Sequence, residues 1–443
     1  MNNTKNPYFP DEIWEILETH NMTEDNTKKL REYFMNPSYY DTNRRTIIFS
    51  TPSRTGTSAF RIELPLYAIA LHYPEKFNLI YADNNLGPKH IQAADLIVAH
   101  RAGHLHDQLY NIVKVWPKTS KRQVVIHDVD DSEFNLPLSH PMRTIWIAAE
   151  KDKMSIRSLK ESDLVTTTGF KLQQTFRNFN PNVYVFRNMF DWEQPQWKIE
   201  RTWPAKKDKL VIGWVGLTSH FEDIKKMAPI LKYIHDKYSN TEFILAGMAL
   251  KDTEVTITVD ANGNKKFDEK EVIDITKTYR YRVSELFKEF DKNRIQILDA
   301  VSLEKYGEFY SKIDIGLSYV EHNVFNACKS EIKSVEYMKY GAVSIYSKYG
   351  GYKDMYDALP TDLKEKTHLL AIDTENPTVW KSVLETVVIN YDTHREIADE
   401  MKQYVEEKYD INKHIDERVS FYNDVIEKNV DKEVNKISKI LVS

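Results

Sequence analysis

The chain has almost no cysteine: one residue, Cys328, among 443. That excludes an intramolecular disulfide and fits a reducing compartment. A catalytic thiol is poorly supported, and a small helix residue is the simpler role for it. No apolar run approaches the length of a membrane span, and the polar opening MNNTKNPYFP has no signal-peptide pattern. The chain is therefore expected in the cytoplasm, free or peripheral at the inner membrane face. A basic excess is missing too. The formal net charge is −5, so no global field draws the protein to nucleic acid or anionic lipid, although a local basic groove stays open. Glycine is sparse, at 13 residues, whereas tyrosine is abundant, at 26. Aromatic clefts suit sugars, and many tyrosines also serve plain cores.

What is present is a long globular chain, 41% apolar, with material for two domains. Strands are expected at Thr46–Ser50, Phe77–Ala82, Asp95–Ala99, Gln123–Ile126, Asp163–Thr167 and Val183–Phe186. A second series is expected at Lys209–Val215, Glu242–Gly247, Arg294–Leu298, Asp314–Tyr319 and Ala342–Tyr346. Helical stretches between them predict an α/β fold with parallel, doubly wound sheets. Residues 1–45 read as an N-terminal extension with short helices at Pro10–His20 and Asn26–Phe34. Residues 46–195 then form a first Rossmann-like domain, with Glu193–Lys209 as linker, and 196–400 a second. Residues 401–443 continue as charged helix.

An insertion at 252–291 exceeds the minimal fold. Strand-like runs flank Asn262-Gly263, which predicts a hairpin. The alternative is a calcium loop, with Asp260, Asn262, Asn264, Asp268 and Glu271 at ligand positions and Lys265 where glycine belongs.

The stretch FNACKSEIKSVEYMKYGAVSIYS, from Phe325 to Ser347, carries the chemistry. Its composition predicts one helix over Ala327–Tyr340, stopped by Gly341 and followed by a buried strand. On that helix Lys329, Lys333 and Glu336 share a face. Two ammonium groups and a carboxylate near a helix start suit a ligand with phosphate and sugar hydroxyls, and first-turn amides would add to the anion site. A solvated amphipathic face fits the spacing equally well.

This stretch resembles the donor-site signature of bacterial and phage group 1 glycosyltransferases of the GT-B fold, a pattern close to FN-x-x-KS-x-IK-x-LEY-x-x-x-G-x-x-x-x-x-S. Asn326, Lys329, Ser330, Ile332, Lys333, Glu336, Tyr337, Gly341 and Ser347 match it. Ile212, Gly213, Gly216, His220 and Asp223 match a further segment of that family, and LEKYGEFYSKIDIGL resembles a third. The resemblance implies two domains facing a cleft and a last helix that crosses back onto the first. It implies a nucleoside-diphosphate sugar as co-substrate, with no cofactor and no metal. Gly216, His220, Asn326, Lys329, Ser330, Lys333 and Glu336 would hold the donor, Glu336 through its ribose. Gly56, Thr57 and Arg61 of the first βα loop would face the cleft, although the loop lacks GxGxxG and the Walker pattern and also reads as an ordinary connection.

The segment VVIHDVDDSEFNLP resembles the family's acidic stretch. His127, Asp128, Asp130 and Asp131 are expected on the acceptor side as catalytic groups, with helix capping as the alternative for either of the last two. Asp128-Val129-Asp130 also matches the DXD metal motif of the other glycosyltransferase fold, a short pattern that is common by chance. Two departures stand out. Many relatives carry an acid eight positions before the ribose glutamate, where this chain has Cys328. Many also carry Lys or Arg in the second glycine loop, where His220 is the nearest candidate. By analogy the mechanism is retaining. The expected acceptor is a glycan or lipid-linked sugar. A hydroxymethylated DNA base, modified by a phage enzyme in the host cytoplasm, is the alternative, and a sugar-nucleotide-binding or structural module is the non-enzyme reading.

Overall fold

The central strands of the first half are short runs, largely apolar on both faces, and this dictates a sheet covered on both sides there. In the computed structural model β1 (Arg45–Ser50), β2 (Phe77–Ala82), β3 (Leu96–His100), β4 (Val124–Val129), β5 (Leu164–Thr167) and β6 (Val183–Val185) form one parallel sheet. Its order is β2-β1-β3-β4-β5-β6. Every residue of β2, β3 and β4 is buried. The structure describes residues 6–52, 54–83, 91, 93–101, 123–140, 143–201, 209–248, 253–259, 265–272 and 274–441.

The second sheet contains β7 (Leu210–Val215), β8 (Thr241–Met248), β11 (Ile295–Asp299), β12 (Ile315–Ser318), β13 (Val343–Ser347) and the short β14 (Ala371–Ile372). It runs β11-β8-β7-β12-β13-β14, all parallel. The order in which successive strands are laid down therefore reverses between β7 and β12, which opens a crevice at their carboxyl ends, the place where open α/β sheets take ligands. Between β8 and β11, β9 (Thr253–Val259) pairs antiparallel with β10 (Lys265–Glu271). This is the expected hairpin. Asp260, Asn262 and Asn264 of the calcium alternative lie outside the described residues, and Asp268 and Glu271 sit on β10.

Helices α1 (Asp11–Glu18) and α2 (Glu24–Met35) bury Ile16, Leu17, Leu30 and Phe34 in the core shared with β1 and β2. After β1 a single helical run starts at Gly56, capped by Thr55, loosens into a π turn over Ala59–Glu63 and continues as α3 (Leu64–His72). The π turn brings both Arg61 and Glu63 inside, at 0% and 2% exposure. After β7 and a short 3₁₀ turn, α4 (Phe221–Lys237) returns along the second sheet.

The single helix expected over Ala327–Tyr340 is corrected. Helix α5 (Val324–Ala327) stops, and α6 (Ile332–Lys339) begins after a break of four residues, 328–331. Tertiary bonds take the groups that a continuous helix would use. The Gly351 amide donates to the Lys329 carbonyl at 3.2 Å. Asn188 Nδ2 donates to Ser330 Oγ at 3.1 Å, and Glu331 is drawn to Arg187 and Tyr409 at 2.6 and 2.8 Å. Lys329 thus precedes the helix rather than lying on its face. Gly341, at φ +65°, ends α6 as expected.

Two long helices close the chain. Helix α7 (Tyr391–Lys408) packs on α6, and α8 (Ile411–Leu441) returns to α3 and β4 of the first half. Tyr422, Val419 and Ile415 are buried there. The outgoing and returning crossings meet where Phe190 and Asp410 bridge, and the Phe190 ring stacks on Trp192 at 4.3 Å.

Candidate functional site

The crevice at the end of β7 gathers two lysines and an unpartnered N–H donor. Gly216 follows the strand directly, and a Cβ there would lie 3.1 Å from Trp214 Nε1 and 3.3 Å from Lys333 Nζ. The indole N–H of Trp214 is buried without a hydrogen-bond partner, an uncommon state for a buried donor. Lys333 Nζ stands 5.6 Å from the centre of that indole ring. Lys329 Nζ is 4.8 Å from the Phe325 ring and 3.3 Å from His220 Nε2. No carboxylate is paired with either ammonium among the described residues. Glycine at 216 leaves open the space into which these donors point.

Burial and Lys329 together lower Lys333 to about 7, with Asp223 and Glu336 acting in the opposite sense. Burial also lowers Lys329, against the pull of Asp131 and Asp223. Two lysines on one crevice with no carboxylate paired to either raise the local affinity for an anion, which would favour their protonated forms. His220 is lowered well below its usual value, by burial first and then by Lys329 and Lys333, and is therefore neutral.

Glu336 lies one turn beyond Lys333, 3% exposed. Tyr310 Oη donates to its Oε2 at 2.5 Å. Burial raises Glu336 to about 7, opposed by Tyr310 and Lys333. One carboxylate oxygen is thus anchored, and the group can still exchange hydrogen bonds with a hydroxyl. Asn326 serves the loop instead: its amide N–H caps onto Asn323 Oδ1 at 2.9 Å and its Nδ2 donates to the Glu321 carbonyl at 3.0 Å. Ser330 spends its hydroxyl on Asn188, across the crevice.

The first-half residues divide differently from expectation. Asp128 is wholly buried and accepts from Arg61 Nε and Nη2 at 2.8 and 2.6 Å and from Thr166 Oγ1 at 2.6 Å. Arg61 also donates to the Phe186 carbonyl and to Asn188 Oδ1. Neither residue is open to a ligand, so Arg61 as a cleft residue and Asp128 as a catalytic group are both corrected. The π turn aims Arg61 inward, where one carboxylate matches it. His127 is 2% exposed within β4. Asp130 is held by Arg101 Nε and His100 Nε2 at 2.7 and 3.0 Å. Asp128 and Asp130 therefore face separate guanidinium groups rather than one shared ion, and no cluster of three or more metal-ligating side chains exists among the described residues.

Asp131 is the member of the set that reaches the crevice. Its side chain is 28% exposed, Arg101 Nη2 donates to it at 3.2 Å, and burial with Asp130 raises it to about 6. It also acts electrostatically on Lys329 of the second half. Gly56 faces the second half, with Tyr306 Oη 3.4 Å from where its Cβ would be, while Thr57 pairs locally with Thr55 at 3.0 Å.

Reasoning from sequence missed Trp214, Tyr310 and Arg101. The aromatic Trp214 reads as core, and only its orphaned N–H sets it apart. Arg101 follows β3 with φ 48°, a conformation no sequence pattern signals.

No family model matches the chain, and no curated protein matches it. Its fold does match solved structures. One is an α,α-trehalose 6-phosphate synthase from Burkholderia multivorans, with TM-score 0.54, 10% identity, and coverage of 88% of this chain and 98% of that one. A second is a trehalose-6-phosphate protein from E. coli bound with UDP-2-fluoro glucose, at 0.52 and 10%, covering 86% and 99%. A third is a mutant O-GlcNAc transferase from Thermobaculum terrenum, at 0.50 and 12%, covering 92% and 74%. The two parallel six-stranded sheets and the returning helix are the GT-B arrangement of these proteins. Identity this low speaks to the fold alone.

Proposed function

We propose that the chain is a glycosyltransferase that moves a sugar from a nucleoside-diphosphate sugar to an acceptor hydroxyl. The observation that carries the reading is the crevice at Gly216, where the Lys329 and Lys333 ammonium groups and the orphaned Trp214 N–H converge without a neutralising carboxylate. The chemical demand of the reaction is to stabilise negative charge growing on a departing diphosphate, and preorganised cations and N–H donors meet it. Glu336, anchored by Tyr310, lies where a sugar hydroxyl bound beside the phosphates would be held. Similar folds that carry sugar nucleotides, such as the E. coli protein bound with UDP-2-fluoro glucose, support the class of ligand. Of Asp128, Asp130 and Asp131 we assign the acceptor side to Asp131, because its side chain is 28% exposed whereas the other two are buried. A glycan or lipid-linked sugar is the acceptor class we favour, and donor chemistry in this reading needs no metal.

The test is a hydrolysis screen of UDP-, GDP- and ADP-sugars without acceptor, run with and without EDTA. Release of nucleoside diphosphate from one donor series, unchanged by chelation, is the expected result. No release, together with no nucleoside-diphosphate binding by calorimetry, would overturn the assignment. Loss of turnover in EDTA and recovery with manganese would overturn the metal-free mechanism.

A further inference from the structure

We propose that Asp223 and His220 are positioning residues for Lys329, with His220 accepting a hydrogen bond from that ammonium rather than donating one to the donor phosphate. The inference rests on the nucleotide-sugar reading and deepens it, because it says how the chain manages without an Arg or Lys in its glycine loop.

The geometry leaves one proton arrangement. Lys329 Nζ lies 3.3 Å from His220 Nε2. An ammonium group has donors and no acceptor, so Nε2 must present its lone pair. A neutral imidazole then carries its proton on Nδ1, which faces Asp223 Oδ2 at 2.7 Å. The second oxygen of Asp223 accepts the Glu321 amide N–H at 2.9 Å. Asp223 is 2% exposed and His220 8% exposed, so water does not compete for either partner. The carboxylate thus fixes the tautomer, and the tautomer fixes where Lys329 points. A His220 that served phosphate through an Nε2–H would aim that proton at the protons of Lys329. Phe325 holds the other side of the ammonium by its ring face. The charge of Asp223, delivered through a neutral ring, tempers the Lys329–Lys333 repulsion without placing a carboxylate where the anion must bind.

The two replacements that separate the roles are Asp223→Asn and His220→Gln. An asparagine that keeps the Glu321 bond through its oxygen turns its amide N–H to the imidazole, and the ring must move its proton to Nε2. UDP affinity should then fall roughly tenfold or more, the scale seen when the partner behind a binding group is lost. In His220→Gln the amide oxygen can still accept from Lys329 and the amide nitrogen can still donate to Asp223, so affinity should stay within about threefold of wild type. Nitrogen-15 NMR of the imidazoles, with the His220 signals assigned by their absence in His220→Gln, reads the tautomer directly. The expected result is Nδ1–H in the wild-type protein at neutral pH and Nε2–H in Asp223→Asn. An Nε2–H tautomer in the wild type overturns the inference, whatever binds. Wild-type affinity in a folded Asp223→Asn protein overturns it as well. A wild-type protein that shows Nδ1–H yet binds none of UDP, GDP or ADP keeps the His220–Asp223 pairing and removes the nucleotide-sugar reading instead.

Discussion

Two charged clusters stand at the carboxyl ends of the two sheets, and they are opposites. In the first half Arg61 and Asp128 are sealed from solvent and each is satisfied by the other, by Thr166 and by backbone. In the second half Lys329 and Lys333 are half-buried and unneutralised, beside a donor that has nothing to bind. Matched charge inside a protein is architecture; unmatched charge at an open edge is stored affinity. The motif residues of both clusters look alike as text, and only the count of partners tells them apart.

The largest effect expected is on stability. Asp128→Ala leaves Arg61 buried without a counter-charge, next to the similarly buried Arg418. Removing one partner of such a pair typically costs about 3–5 kcal/mol. Urea unfolding should show that loss, and an unchanged midpoint with lost transfer would move the first cluster into the catalytic class.

Next comes Lys333→Ala, which deletes a charge-assisted phosphate bond of about 1.5–3 kcal/mol. Calorimetry with UDP, GDP and ADP should show the preferred nucleotide weakened to match, with no fall in melting temperature. Unchanged affinity would mean that the anion binds elsewhere. One other site is on hand, an open cavity of about 900 Å³ between Trp192, Lys339 and Lys402. Lys339, Lys198 and Lys413 of its lining are already paired with Glu406, Glu193 and Glu407, so it is not where we expect binding.

Acidity sharpens the same contrast. Lys333 sits at about 7 in the free protein, and a bound diphosphate holds its protonated form. Binding above that value must therefore take up a proton, and affinity should decline from pH 7 to pH 9, by up to tenfold per unit. Lys333→Arg, which stays charged, should flatten the profile. A profile with the same slope in both proteins would assign the proton to another group.

The smallest change is expected from Glu336→Gln. The group holds a part of the donor remote from the reacting bond, so KM should rise more than kcat falls. Steady-state kinetics over a donor series decides this, and a pure kcat defect would make Glu336 a chemical participant.

Much of the architecture was legible in the residues. Strands such as Phe77–Ala82 are short apolar runs closed by turn residues, and local composition is enough for them. Ala371–Ile372 was not foreseen, because two residues paired at a sheet edge carry no pattern of their own. The break before Ile332 was hidden for another reason. Local propensity favours helix through 328–331, and the Gly351, Asn188 and Arg187 contacts that overrule it come from far along the chain. At the site, Lys333 and Glu336 keep their expected one-turn spacing because both lie on α6, whereas Lys329, ahead of the break, does not share that helix face. Arg61 and Asp128 were misread, since a sequence shows that charges exist and not whether they have met. Trp214 escaped because a tryptophan in a strand is ordinary until its N–H is found alone.

Cys328 is the one cysteine of the chain, and its burial gives the protein a property of use at the bench. Cys328 is 1% exposed and packed with Val129, Leu159 and Phe176 of the first half, its sulfur 3.7 Å from Thr175 Oγ1. Burial raises the thiol to about 11, which withholds the reactive thiolate as well as the route to it. The seam between the halves is thus closed over the one thiol in the protein. Whenever the halves part, that thiol meets solvent, so its alkylation rate is a clock for cleft opening that needs no added label, and a ligand that draws the halves together would slow it.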